Sequence, residues 1–385
     1  MKLCRIATVP VHFAMLLRQQ LKSIKEAGID VTIVSTPGPL LDELSSSIGV
    51  RCFPIPIMRT PNPIQDLISL FKFIDFLKAE KFDIIHSSTP KAGLIGAIGG
   101  FLTQTPIRIH TYTGQPWVEL SGAVRFAARE SDRLIAILDT ITYADSISQR
   151  NFLVNEGLVN PKKICVLGGG SISGVDLERF SLASKPCHRM NVRSELKISE
   201  SAIVIVFVGR VTKDKGIIEL IESMKVLLEK NNDLHLLLVG QFEPERDPLP
   251  SNILNEISIN PNIHSMGFVN DPERYLSAAD IFCLPSYREG FGSVVIEAGA
   301  MELPTVATRI TGLIDAVVDG ETGILVSPKN KTELEGALLT LIRSPELRKK
   351  MGEKAMIRSY AYFEASFVNN LVIEEYFRLT KSIKD

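Results

Sequence analysis

Glu289-Gly290-Phe291-Gly292-Ser293, with Glu297 four residues further on, joins two carboxylates to a backbone that a ligand can approach closely. The apolar run Ile281-Phe282-Cys283-Leu284 before it, closed by Pro285 and Ser286, reads as a buried strand ending in a loop. Gly290 and Gly292 remove the Cβ that would keep a ligand away. A helix can start at Ser293, a good N-cap, with Val294, Ile296, Ala298, Ala300 and Met301 packing beneath it. A helix N-terminus offers free N–H groups and partial positive charge, and so favours phosphate. Glu289 on the loop and Glu297 one turn into the helix would flank a phosphate-sized gap, and each can accept hydrogen bonds from sugar hydroxyls. Taken alone, the two glutamates also fit a solvated loop charge and a surface helix residue.

A second group lies upstream. Ile203-Val204-Ile205-Val206-Phe207-Val208 is continuously apolar, as in a strand covered on both faces. It runs into Gly209-Arg210-Val211-Thr212-Lys213-Asp214-Lys215-Gly216. From Ile217, apolar residues recur at helical spacing (Leu220, Ile221, Met224, Leu227, Leu228). Arg210 and Lys215 therefore fall on a strand-to-helix loop at the carboxyl edge of a parallel sheet, where such sheets bind ligands. A forked guanidinium and a point ammonium together suit a diphosphate. Two solvated loop cations are the plainer reading of that pair by itself.

In this order the two groups resemble the C-terminal half of glycosyltransferase family 4, which shows G-R-x(4)-K-G after a strand and later E-G-F-G, with a second glutamate eight positions after the first. The matching residues are Gly209, Arg210, Lys215 and Gly216, then Glu289, Gly290, Phe291, Gly292 and Glu297. The resemblance implies an α/β protein of GT-B type, two Rossmann-like parallel-sheet domains facing across a cleft. It implies a retaining transferase that moves a sugar from a nucleotide diphosphate sugar, a UDP-sugar, to a saccharide acceptor. The expected acceptor is lipid-linked and belongs to the biosynthesis of a capsule, O-antigen or exopolysaccharide.

In that scheme Arg210, Lys215 and Glu289 are catalytic. The cations receive the leaving diphosphate and Glu289 positions the donor sugar. Glu297 holds the ribose, and Gly209, Gly290, Phe291, Gly292 and Ser293 line the substrate. The loop containing Phe268 and Val269 cups the base through its backbone. No metal or other cofactor is implied, and no Asp-x-Asp pair or His/Cys cluster stands in the sequence to hold one.

In the first half, His110-Thr111-Tyr112-Thr113-Gly114-Gln115-Pro116-Trp117 ends a strand. Family members often carry a histidine before a glycine here, near the donor sugar. Thr113 takes that position and His110 lies three residues earlier, so His110, Thr113 and Gln115, with Trp117, are candidates for sugar contact. A buried strand histidine and a packing tryptophan are the alternative. The loop of residues 8–13 departs from the family pattern because it lacks paired glycines. It leaves open whether His12 and backbone amides meet the donor phosphates there or the loop faces the acceptor. Two rivals share the architecture: a sugar-nucleotide 2-epimerase, which would need acid and base groups facing C2 and no acceptor, and a non-catalytic sugar-nucleotide-binding subunit.

The elements that position these residues alternate strand and helix. Strands are expected at 3–9, 31–35, 51–57, 84–86, 108–111, 134–137 and 163–167. Helices are expected at 13–27, 40–48, 62–80, 91–102, 122–131, 139–144 and 149–156, a pattern that argues a doubly wound parallel sheet. Gly168 to Asp176 and the polar stretch up to Ser201 read as the domain boundary. The second half repeats the alternation, with strands at 203–208, 234–239, 263–269, 281–284, 304–308 and 323–326. The expected division is 1–177, 178–360, and a last helix in 361–385 returning to the first domain.

With 385 residues and 45% hydrophobic content the chain can build two cores, and a net charge of −1 argues against nucleic-acid binding. Five unpatterned cysteines fit a reducing compartment. No leader and no membrane-spanning run are read, so a cytoplasmic location is expected. Residues 1–180 hold 19 Lys and Arg against 16 Asp and Glu, a net +3. Lys72, Lys78 and Lys81, with Arg125, Arg129 and Arg133 at four-residue spacing, suggest peripheral contact with the inner face of a membrane.

Overall fold

The computed structural model describes residues 1–231 and 233–384, the last two by their main chain alone. It forms two compact units, Met1–Gly174 with Ala365–Asp385, and Val175–Glu364.

The first unit is built on seven parallel strands: β1 (Lys2–Ile6), β2 (Asp30–Ser35), β3 (Arg51–Pro54), β4 (Ile84–Ser88), β5 (Ile107–Tyr112), β6 (Ile141–Ala144) and β7 (Ile164–Cys165). They lie in the order β3-β2-β1-β4-β5-β6-β7. Leu3, Cys4 and Ile6 on β1 are fully buried, as expected of a central strand with helices on both faces. The helices are α1 (Arg18–Glu26), α2 (Pro39–Ile48), α3 (Pro63–Glu80), α4 (Pro90–Leu102), α5 (Gly122–Leu138) and α6 (Ile147–Asn155).

The second unit repeats the plan with six strands, β8 (Ile203–Val208), β9 (Leu234–Val239), β10 (Ile263–Gly267), β11 (Ile281–Leu284), β12 (Thr305–Thr308) and β13 (Gly323–Val326), in the order β10-β9-β8-β11-β12-β13. Its helices are α7 (Lys185–Glu195), α8 (Ile217–Lys230), α9 (Ser251–Ile259), α10 (Pro272–Ala278), α11 (Ser293–Ala300), α12 (Leu313–Ala316), α13 (Lys331–Arg343) and α14 (Pro345–Tyr362). In each sheet the strand order reverses once, between β1 and β4 and between β8 and β11. In open α/β sheets that reversal is where ligands bind.

The last helix, α15 (Ala365–Lys384), packs within the first unit. Its Tyr376 hydroxyl accepts a hydrogen bond from Arg5 Nη1 at 2.7 Å and meets His86 Nδ1 at 2.6 Å. The other ring nitrogen of His86 meets Thr111 Oγ1 at 2.7 Å. Burial, and after it the Arg5 guanidinium, pushes His86 well below its ordinary range, so the ring stays neutral and passes one hydrogen bond on to the next group.

Local structure departs from the sequence reading in four places. Residues 122–138 are one helix, not a helix and a strand. Asp132, Ile135 and Ala136 are buried on a helical face, and a short apolar run such as Leu134 to Ile137 cannot by itself distinguish the two. The strand is instead Ile141–Ala144, where a helix was expected, and it pairs with β5. The helix expected over 13–27 breaks at Leu17 (φ −114°, ψ 5°), separating a π-helical turn at His12–Leu16 from α1. The polar stretch before Ser201 holds α7, whose Arg193 is buried and anchored on Asp280 at 2.9 Å.

Candidate active site

In the second unit the two sequence groups meet at the strand reversal. β8 pairs directly with β11, Ile205 opposite Ile281 and Val206 opposite Phe282. The loops leaving their carboxyl ends, 209–216 and 285–292, are therefore neighbours. Gly216 locks them together. Its φ is +71°, and a Cβ placed there would lie 2.0 Å from the Pro285 carbonyl oxygen, so only glycine lets the first loop turn against the second. Gly292 (φ +88°) is the N-cap of α11, which makes Ser293 the first helical residue and not the cap. The reason is conformational: the left-handed turn into the helix falls on Gly292. No side chain caps α11, and its Val295 N–H donates to the Gly292 carbonyl oxygen at 2.8 Å, which leaves the Ser293 and Val294 amides as the ones a ligand could meet.

The charged side chains on these loops fall into two neighbouring groups. Lys215 Nζ donates to Glu289 Oε1 at 2.5 Å, and Ser286 Oγ donates to the same oxygen at 2.8 Å. The Lys215 and Glu289 side chains are only 15% and 16% exposed. Arg210 donates to Glu243 (2.9 Å) and to Asp214 (3.1 Å), and Arg288 donates to the same Asp214 oxygen at 2.9 Å. The Asp214 main-chain N–H donates to Asp247 at 2.7 Å. Burial works against the Arg210 charge, but Asp214 and Glu243 outweigh it and hold the group above its ordinary range. Asp214 is held low in turn: burial opposes its charge, while the Thr212 hydroxyl, Arg210 and Arg288 favour it. Partly buried cations held this way keep a fixed direction, which is what stabilising charge on a leaving group requires.

Glu297 stands apart from both groups. It lies half-buried one turn into α11, with no hydrogen-bond donor to its carboxylate among the described residues. Burial pushes its pKa up to about 7, Arg179 pulls it down less, and Glu273 raises it. Arg179 binds Glu273 at 2.8 Å and also the Asn270 carbonyl oxygen, which places the loop after β10 beside Glu297. On that loop Phe268 is exposed and Val269 half-buried. Phe291 is buried against Phe363, with ring centroids 5.2 Å apart, so its ring belongs to the core of the second unit. The structure thus brings together Gly209, Arg210, Lys215, Glu289, Gly290, Gly292 and Ser293, with Glu297 and the 268–270 loop on one flank.

Sequence reasoning overlooked the surrounding shell of Asp214, Glu243, Ser286 and Arg288. Asp214 was visible inside the first motif and Arg288 directly before the second, whereas Glu243 reaches Arg210 only because β9 lies beside β8.

In the first unit the candidates are arranged differently. His110 is interior: its Nδ1 meets Ser87 Oγ at 2.8 Å, its ring packs edge-on to Tyr112, and burial lowers its pKa to about 3. It is a core histidine of β5, not a residue presented to a sugar. Trp117 is buried too, donating to Asp132 at 2.7 Å and stacking on Phe152. Gln115 is buried and accepts from Gln149 Nε2 at 3.3 Å, while Thr113 is half-buried. His12 is buried, and its Nε2 has no partner among the described residues. Burial, then Arg5, lowers its pKa to about 3. Among the described residues, no three His, Cys, Asp or Glu side chains are grouped to hold a metal ion.

Comparison with known proteins agrees with this architecture. The family pattern of the Glycosyl transferases group 1 matches residues 189–358, and that of the Glycosyl transferase 4-like domain matches residues 14–170. The capsular polysaccharide biosynthesis glycosyltransferase CapM of Staphylococcus aureus is 35% identical over 360 residues, covering 94% of this chain and 92% of its own. The Escherichia coli UDP-Gal:alpha-D-GlcNAc-diphosphoundecaprenol alpha-1,3-galactosyltransferase is 28% identical over 313 residues, 76% and 75% of the two chains. Among solved structures, the Thermosynechococcus elongatus sucrose-phosphate synthase superposes with a TM-score of 0.80 at 20% identity, over 99% of this chain and 100% of that one. Anabaena HepE in complex with UDP and glucose superposes at 0.81 and 17% identity, over 98% and 100%. The fold is GT-B. The chain belongs to the group 1 glycosyltransferases, family 4, and is a glycosyltransferase.

Proposed function

We propose that this enzyme transfers a hexosyl or N-acetylhexosaminyl group, with retention of configuration, from a UDP-sugar to a lipid-linked saccharide during assembly of a surface polysaccharide. The observation that carries the reading is the convergence of Arg210, Lys215 and the uncapped start of α11 where β8 and β11 end. As the bond from the anomeric carbon to the β-phosphate oxygen breaks, its electron pair stays on the diphosphate, and those three groups receive the charge. The acceptor hydroxyl forms the new bond on the same face of the sugar and gives up its proton to the departing β-phosphate oxygen. Glu289, held by Lys215 and Ser286, orients the donor sugar, and Glu297 accepts from the ribose hydroxyls. Side-chain cations do the work here that a metal ion does elsewhere, so turnover should withstand a chelator. The names of CapM and of the E. coli galactosyltransferase support the polysaccharide and lipid-linked parts of the reading, and the UDP complex of HepE supports the nucleotide.

The test is a thermal-shift screen of nucleotide sugars followed by an assay of UDP release with and without lipid-linked saccharide. Stabilisation by UDP-sugars and acceptor-dependent release are expected. Conversion of the donor without any acceptor would identify an epimerase instead.

A further inference from the structure

We propose that Arg179 is a positioning residue of the donor site, one whose guanidinium fastens the loop after β10 and sets the charge that Glu297 faces. This deepens the reading above and rests on it for the ligand being a nucleotide. The placement starts from a tight turn. Val175 is buried and its N–H donates to the Phe363 carbonyl oxygen at 2.6 Å. Phe180 is buried too, and its N–H donates to the Asp176 carbonyl oxygen at 2.8 Å. Between them, Asp176 Oδ1 accepts from the main-chain N–H groups of Glu178 (3.1 Å) and Arg179 (3.2 Å), so the backbone that carries Arg179 is held at both ends and in the middle.

The guanidinium is engaged on three sides. Its Cζ lies 5.4 Å from the centroid of the Phe180 ring, its Nε donates to Glu273 in the first turn of α10 at 2.8 Å, and its Nη2 donates to the Asn270 carbonyl oxygen. One planar fork thus joins the 176–180 turn, the 268–270 loop and α10. Phe268 stands two residues before Asn270 and is 54% exposed, so the same clamp decides where its ring is offered to a base.

The charge of the fork acts on Glu297 as well. Burial raises the Glu297 pKa most, Arg179 draws it down, and Glu273 adds to the rise. Of the other elements packed on α11, β11 and β12 carry no charged side chain and α12 carries Asp315. α14 turns Arg358 to the Ala316 and Asp315 carbonyl oxygens and Lys354 to Glu321 at 2.9 Å. Removing Arg179 therefore leaves Glu273 facing Glu297 unopposed, and the carboxyl keeps its proton to higher pH. Lysine in its place would restore the charge but not the planar fork that spans a carboxylate and a carbonyl oxygen. Substitution can thus separate the two contributions of Arg179.

Two measurements on the full chain test this. One is isothermal titration with UDP across neutral pH. The other follows the Glu297 carboxyl carbon against pH by NMR, with the signal assigned from Glu297→Gln. Arg179→Gln should bind UDP at least about tenfold more weakly near neutrality, with both the Glu297 titration and the rise in affinity displaced to higher pH. Arg179→Lys should keep both at their wild-type pH and still bind UDP at least about threefold more weakly. Glu273→Gln should move both to lower pH. A residue that only supported the fold would lower the melting temperature and leave the Glu297 titration in place. An unmoved titration in Arg179→Gln overturns the proposal, and so does UDP bound equally well by the wild type and Arg179→Gln. If the wild type binds no UDP while Arg179→Gln still displaces the Glu297 titration, the placement of Arg179 stands and the nucleotide reading fails.

Discussion

Glu297 gives the site a pH dependence whose size can be worked out in advance. Burial lifts its pKa to about 7, so near neutrality the carboxyl is divided between its two forms. If it accepts from two ribose hydroxyls, its ionised form is the better partner. A hydrogen bond to a charged group contributes about 1.5–3 kcal/mol against about 0.5–1.5 for a neutral one, so two contacts differ by roughly 2–3 kcal/mol between the forms. That corresponds to roughly 30- to 160-fold in affinity.

Isothermal titration of UDP across about pH 5 to pH 8 should show affinity rising to about pH 7 and levelling above it, beyond any contribution from the nucleotide's own phosphate. Glu297→Gln should lose that rise and keep only the nucleotide's. The stability of the protein alone must run the other way. A carboxyl whose folded pKa is raised binds its proton more tightly when folded. Its contribution therefore declines as pH climbs from the ordinary glutamate range to about 7, and is constant above. Identical pH profiles for wild type and Glu297→Gln would refute the ribose assignment.

Under the proposed assignment, in which the Glu289 carboxylate meets the sugar and not the nucleotide, Glu289→Gln should leave UDP affinity within a few fold while lowering sugar transfer at least about tenfold (about 1.4 kcal/mol). Calorimetry with UDP beside a transfer assay checks the pair, and a loss of UDP affinity without loss of transfer contradicts it. Gly216→Ala should destabilise the protein by about 3 kcal/mol or more, the cost of a left-handed backbone added to a severe overlap with the Pro285 carbonyl oxygen. Gly320→Ala, also at positive φ (+75°) but with nothing within 4 Å of the new Cβ, should cost only about 1–2 kcal/mol. Equal denaturation midpoints for the two variants would show that the β8 and β11 loops are not locked at Gly216.

The second unit was the more legible half, for a physical reason. β8 and β11 are continuous apolar runs, and each ends in a loop whose glycines are demanded by close backbone packing, so strand, turn and charge follow each other within a dozen residues. What the sequence did not reveal there depends on strand order: Glu243 joins Arg210 across neighbouring strands, and Arg179 reaches the 268–270 loop from far along the chain. In the first unit, polar residues at strand ends looked like site residues because a sequence does not show which way a side chain points. His110 turned inward to Ser87 and Trp117 inward to Asp132, and Leu134 to Ile137 joined a helix because one side of α5 had a core to cover.

The central claim is that a sugar leaves a nucleotide diphosphate whose charge is received by Arg210 and Lys215. It is tested most directly by UDP release from the preferred UDP-sugar in the presence of lipid-linked saccharide, measured for wild type, Arg210→Ala and Lys215→Ala. The account predicts acceptor-dependent release that falls at least about tenfold in each variant (about 1.4 kcal/mol or more), with melting cooperativity retained. Near-normal release by both variants would contradict it.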